Sequence, residues 1–212
     1  LAMVLQGVTR AKGTRPKRRA APATALALRL MVGAQPSEDI SGARNRALLL
    51  LGYGAALRRS ELVALNIGDL ELVEGRGVRV LIRRSKTDQA GEGHEIGVWA
   101  SDDPAFCAVR ALERWLSHRL AAEDARFSTD ATGRELPLFT AISKARRVLG
   151  RRLSDQSVNL VLKQAASAAG LSDPGRFSGH SLRAGLATQA AEDGADLAAI
   201  MRQTRHRSTN AA

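Results

Sequence analysis

The sequence predicts a mainly α domain carrying one small three-stranded antiparallel sheet. Apolar residues recur at helical spacing through most of the chain. The period changes to β-prone runs only between residues 70 and 99, and those runs are split by "EGRG" and "DQAGEG", which are turn signals. A chain of 212 residues that is 44% hydrophobic has enough apolar material for one substantial core. With aromatics at only 3%, that core must be assembled from Leu, Val, Ile and Ala.

Residues 1–22 stand apart. "TRAKGTRPKRRAAPA" (9–23) is rich in Lys, Arg, Gly and Pro and reads as a basic linker to an upstream domain. The folded domain spans 23–212, beginning with "ALALRLMV" (25–32), a short helix. Residues 37–57 have an acidic start and a dense apolar second half, which predicts a buried helix; 58–66 continue as another, with Leu62 and Leu65 on one face. "LELVEGRGVRVLIRRSKTDQAGEGHEIGVW" (70–99) is the three-stranded meander, with His94 on its surface. Residues 103–120 are amphipathic and helical, with Pro104 near the first turn and His118 on the surface at the end. Ser154 caps a helix that closes at Gly170. Residues 178–194 form a helix closed by Gly194, and 196–204 form the last. No internal repeat is visible.

Lys and Arg number 32 against 21 Asp and Glu, a formal charge of +11, with a pI near 11.2. This balance favours a polyanionic partner, either nucleic acid or an acidic membrane surface. The single cysteine, Cys107, excludes a disulfide framework within the chain and a cysteine-rich metal site, and fits a reducing, cytoplasmic setting. The longest apolar run, 46–57, is far too short to span a membrane, and no signal-peptide pattern is present. The abrupt start "LAMVLQGVTRAKG" and end "RHRSTNAA" suggest an excised piece.

Chemistry concentrates in "SGHSLRAG" (178–185). His180 and Arg183, three apart on a helix, project from one face. Arginine offers a planar fork of donors suited to phosphate oxygens, and histidine moves a proton or donates a hydrogen bond near neutral pH. The small neighbours Gly179, Ser181, Ala184 and Gly185 suggest close approach of a ligand backbone. Three further stretches join this one: "ALRRSELVAL" (56–65) places Arg58 at a helix start with Glu61 three residues on, "RRSKTDQ" (83–89) places Lys86 at a strand end, and "TRHRSTN" (204–210) supplies His206.

In this order and spacing the four stretches resemble the catalytic domain of tyrosine recombinases, the phage-integrase family, over nearly the whole chain. The resemblance implies that family's DNA breaking-rejoining fold, with residues 1–22 leading from an N-terminal DNA-binding domain. It implies that Arg58 and Arg183 grip the scissile phosphate, that Lys86 protonates the leaving 5′-oxygen, and that His180 accepts a proton or donates to the phosphate. His206 then hydrogen-bonds the phosphate, and Glu61 orients the site from behind. The spacing "LR-x-SEL" selects Arg58 over Arg59. Arg59, Lys17, Arg18 and Arg19 are assigned to DNA contact, as are Arg83 and Arg84, although these last two otherwise simply face solvent.

The implied nucleophile is a tyrosine that forms a 3′-phosphotyrosyl bond. The one tyrosine here, Tyr53, lies in an apolar helix and reads as structural. The attacker is therefore expected beyond Ala212, two to three helical turns after His206, and the chain as given is expected not to cleave. The implied partners are double-stranded DNA and further copies of the protein, a tetramer on DNA, in a nucleoid-associated, cytoplasmic setting. No metal or cofactor is implied, because the phosphotyrosine conserves the bond energy. A non-catalytic DNA-binding module on the same fold and a type IB topoisomerase are the competing readings.

Overall fold

The structure is a computed structural model that describes residues 20–36, 38–83, 93–121 and 135–205. Its elements in chain order are α1 (Ala25–Gly33), α2 (Ile40–Gly54), α3 (Arg59–Ala64), β1 (Leu70–Val73), β2 (Gly77–Ile82) and β3 (His94–Trp99). There follow α4 (Ala108–Ala121), β4 (Thr140–Ile142), β5 (Val148–Arg152), α5 (Asp155–Ala168), α6 (Gly179–Glu192) and α7 (Leu197–Thr204).

Helix α2 is the centre of the core. Leu48, Leu49, Leu50 and Leu51 are all buried, so it is covered on every side and not along one stripe. It packs against α1, α4, α6 and α3. Gly52 lets α6 approach: a Cβ there would meet the Leu182 side chain at 2.7 Å. Trp115 of α4 is fully buried, and its indole N–H donates to the Leu138 carbonyl at 2.8 Å, so the ring's one polar atom is satisfied.

The predicted meander is present. β1 pairs with β2 and β2 with β3, both antiparallel, with Val78 opposite Val98 and Val80 opposite Ile96. Those four and Ile82 form the face turned to the core. On the outer face Arg79 ion-pairs with Glu71 and Glu95. A second sheet, the hairpin β4–β5, was not anticipated. "TAISKARRVLGRR" offers only two short apolar pairs, Ala141–Ile142 and Val148–Leu149, and its turn contains no glycine; Arg146 takes the positive φ of 57° instead. Arg152 ties this hairpin to the C-terminal end of α3, donating to the carbonyls of Val63 at 2.7 Å and Leu65 at 2.9 Å.

Three capping residues match the sequence directly. The Ser154 hydroxyl accepts from the Ser157 amide ahead of α5, and Gly170 follows with φ +68°. Gly194, at φ +79°, follows α6. The expected start of α4 at residue 103 departs from the structure: Pro104 opens a separate 3-10 turn, Pro104–Phe106, capped by Asp103, and the chain is extended at Cys107 before α4 begins at Ala108. Among the described residues no helix is long and apolar enough to cross a membrane.

Candidate phosphate-binding site

The site forms where three helix ends meet. Arg58 is the N-cap of α3, extended at φ −70°, ψ 152°. The turn before it, Ala55–Ala56, is tight enough to force Ala56 to φ +47°. Glu61, one turn into α3, folds back on this end. Its Oε2 accepts from the Arg58 amide at 2.9 Å, and its Oε1 accepts from Arg58 Nη1 at 2.6 Å. The capping carboxylate therefore also holds the arginine side chain, which keeps a quarter of its surface exposed while Glu61 keeps 2%.

Helix α6 supplies His180 and Arg183 from its first two turns. Arg183 is buried, and its Nη1 donates to the Ala56 carbonyl at 2.9 Å. Desolvation and the nearby charges of Arg58 and Arg205, opposed by Glu61, bring its pKa down to about 10. His180 is exposed beside it. Partial desolvation, then Arg183, then Arg58, lower its pKa below the ordinary imidazole value. The imidazole is thus neutral at neutral pH, with one nitrogen free to accept a proton.

The small residues of "SGHSLRAG" have a different use from the one the sequence suggests. A Cβ on Gly185 would strike the carbonyl oxygen of Ala23, and one on Gly179 would meet the Arg59 Cβ at 2.7 Å. The Ala23 amide donates to the Ser181 carbonyl at 2.9 Å. These two glycines admit the protein's own chain, which locks α6 against the segment before α1 and against the first residue of α3.

Sequence reasoning missed one member of the cluster, Arg205. It follows α7 in the left-handed conformation, φ 55°, ψ 42°, and is buried. Its Nη2 donates to Glu61 Oε2 at 2.8 Å and to the Ala56 carbonyl at 3.0 Å; its Nη1 donates to the Ala55 carbonyl at 3.0 Å. Burial lowers its pKa, partly offset by Glu61. Within "IMRQTRHRS" only the lack of a glycine to take the left-handed cap hinted at an unusual helix end, unlike the helices closed by Gly170 and Gly194; nothing local pointed to the partners of Arg205.

The remaining expected residues divide. Arg59 is exposed and pairs with Asp155 at 3.2 Å. Arg83 is held between Asp69 and Glu135. Tyr53 is half-buried and packs against the core; burial, then Asp193, then Glu192, push its phenol pKa up. His94 is exposed and His118 half-buried. Lys86, Arg84, His206, Lys17, Arg18 and Arg19 lie outside the described residues.

Three guanidiniums, Arg58, Arg183 and Arg205, thus surround one carboxylate, Glu61. The cluster carries a net charge of two positives and asks for an anion at its open side, where Arg58 and His180 reach solvent.

Residues 27–212 match the model of the phage integrase family. The chain is 38% identical over 204 residues to an "Integrase/recombinase xerD homolog" of Selenomonas ruminantium, an alignment covering 96% of this chain and 55% of the relative. Among solved structures, XerH recombinase bound to palindromic difH substrate in a post-cleavage complex superposes with a TM-score of 0.67 at 20% identity, covering 94% of this chain and 50% of that one. A lambda integrase tetramer bound to a Holliday junction gives 0.55 at 20% identity, with 92% and 49% covered. The chain spans about half the length of the curated relatives it matches.

Proposed function

The chain belongs to the phage integrase family, and from that premise we propose that it is the catalytic part of a site-specific DNA recombinase. It cuts and rejoins strands through a 3′-phosphotyrosyl intermediate. The observation that carries this reading is the convergence of Arg58 and Arg183 on one site, each anchored from behind, in a cluster with excess positive charge.

In this mechanism the two guanidiniums bind the non-bridging oxygens of the scissile phosphate. Their value lies in the transition state, where a phosphorus bearing both the entering and the leaving oxygen spreads more charge onto those oxygens. The anchoring to Glu61 and the Ala56 carbonyl means that the donors need not reorganise as that charge develops. His180, neutral at neutral pH, takes the proton of the attacking phenol or donates to the phosphate. Lys86 gives a proton to the departing 5′-oxygen, and His206 hydrogen-bonds the phosphate. Rejoining reverses each transfer, so the phosphodiester energy is retained in the covalent intermediate.

The attacking phenol is a tyrosine outside these 212 residues. Tyr53 is unsuited to the role. Its phenol lies within the influence of Asp193 and Glu192 at the far end of α6 from His180, a helix length of about 18 Å at 1.5 Å per residue. Its raised pKa also disfavours the phenolate. The DNA partner is a duplex, contacted by Arg59, Arg84, Lys17, Arg18 and Arg19. For Arg83, commitment to Asp69 and Glu135 favours an anchor at the hairpin base over direct phosphate contact. Assembly on DNA is a tetramer, a reading supported by the lambda integrase tetramer that shares the fold.

The test incubates the complete protein with nicked suicide duplexes carrying randomised half-sites, and sequences whatever DNA remains attached after denaturation. A covalent adduct that maps to a tyrosine other than Tyr53, and is lost in Arg58→Ala, is expected. Tight duplex binding without any adduct would favour the non-catalytic module. An adduct on Tyr53 would overturn the assignment of the nucleophile.

A further inference from the structure

We propose that Arg205 is a positioning residue: by holding Glu61 and the Ala55–Ala56 turn from behind, it sets the two arginines that face the phosphate. The proposal rests on the phosphate-gripping reading of Arg58 and Arg183, and deepens it.

Arg205 sits where a side chain is costly. A non-glycine residue in the left-handed conformation is strained, and Arg205 has φ 55°. Burying a guanidinium adds a desolvation penalty, visible in its lowered pKa. Both costs are offset by one set of contacts, and each contact leads to the site. The bond to Glu61 Oε2 fixes the carboxylate whose other oxygen holds Arg58. The bonds to the Ala55 and Ala56 carbonyls fix the strained turn that delivers Arg58 to its N-cap. The Ala56 carbonyl also accepts from Arg183, so one oxygen spans both arginines and uses its two lone pairs to do so.

A planar fork is what this geometry needs. Nη1 and Nη2 reach two successive carbonyls and a carboxylate at once, which a lysine ammonium on a single stem cannot match. Arg205 is not itself a phosphate ligand. Its side chain keeps only 4% of its surface exposed and is turned inward. Its charge moderates Glu61, so that Glu61 is not fully spent in neutralising Arg58.

The experiment compares the full chain with Arg205→Gly, Arg205→Lys, Glu61→Gln and the double variant Arg205→Gly/Glu61→Gln. Glycine takes the left-handed cap without strain, so this variant removes the side chain and spares the backbone. Two readouts are taken: hydrogen exchange of the Arg58 amide, which donates to Glu61, relative to the core amides of Leu48–Leu51; and affinity for inorganic sulfate by calorimetry.

Arg205→Gly is expected to speed Arg58 amide exchange about tenfold relative to the core and to weaken sulfate binding about tenfold, the scale on which contacting residues couple. Arg205→Lys should resemble Arg205→Gly, and in the Glu61→Gln background the glycine substitution should add little. The proposal is overturned if Arg58 exchange and sulfate affinity both move less than twofold, or if lysine restores them, which would make Arg205 a charge and not a fork. Loss of sulfate affinity with core amides equally deprotected would also overturn it, as general destabilisation. If the unaltered chain binds no sulfate, the phosphate-gripping reading fails, and the exchange arm still decides whether Arg205 positions Glu61.

Discussion

Replacing Glu61 by glutamine should destabilise the domain far more than loss of one surface ion pair would. The substitution keeps the shape of the side chain but removes the charge that Arg205 faces across 2.8 Å, in a pair whose side chains keep 4% and 2% of their surface. Removing one partner of a buried pair leaves an uncompensated buried charge, at a cost of about 3–5 kcal/mol. The Arg58 contact adds little to that figure, because Arg58 is a quarter exposed and water screens it. A domain of this size loses about 2–4 °C in Tm per kcal/mol, so a fall of about 6 to 20 °C is expected. Scanning calorimetry with urea unfolding in parallel measures it. The double variant with Arg205→Gly should recover part of the loss, since it removes the orphaned guanidinium. A loss below about 1 kcal/mol, the scale of an exposed pair, would refute the view that Glu61 and Arg205 form a desolvated unit.

Three further outcomes follow from the same geometry. Arg58→Ala and Arg183→Ala in the complete protein should each lower the cleavage rate by about a hundredfold or more, but only Arg183→Ala should also lower Tm, because Arg183 is buried against the Ala56 carbonyl; equal stability of the two variants would contradict that placement. His180 has a folded pKa below its unfolded value, so its contribution to stability is full above the ordinary imidazole pKa and is lost as pH falls below it. His180→Gln should flatten unfolding free energy between about pH 7 and pH 5, and an NMR titration placing the His180 pKa at or above the ordinary value would remove the argument. Gly185→Ala should cost about 1–3 kcal/mol by overpacking against the Ala23 carbonyl; a Tm equal to that of the unaltered chain would show that the segment before α1 yields.

Local signals made most of the frame legible. The run of leucines in α2, the serine and glycine caps of α5, and the split β-prone runs of the meander each carry their own instruction, and each element formed where those signals lie. The hairpin β4–β5 was missed because its strands are three and five residues long and lean on long-range bonds from Arg152 to the C-terminal end of α3. At the site, the spacing of His180 and Arg183 and the pairing of Arg58 with Glu61 were readable. Arg205 was not, because its role depends on a carboxylate and two carbonyls about 150 residues earlier in the chain, a separation that no local period encodes. The glycines of "SGHSLRAG" were misread for the same reason: their close neighbours are Ala23 and Arg59.

The choice of arginine in this cluster has a physical cause beyond phosphate geometry. Desolvation and two neighbouring cations bring Arg183 down to about 10, which still leaves it charged at neutral pH. A lysine starts about two units lower. The same burial and like charges would push it further down, toward the range where a buried ammonium loses its proton. Arginine therefore lets a site hold several cations close together, partly out of water, without any of them escaping by deprotonation. That persistence is needed if the excess charge is to be available when the phosphate arrives. One carboxylate behind three guanidiniums is consistent with this: Glu61 holds Arg58 and Arg205 in place, and full neutralisation would remove the positive charge that the proposed phosphate binding requires.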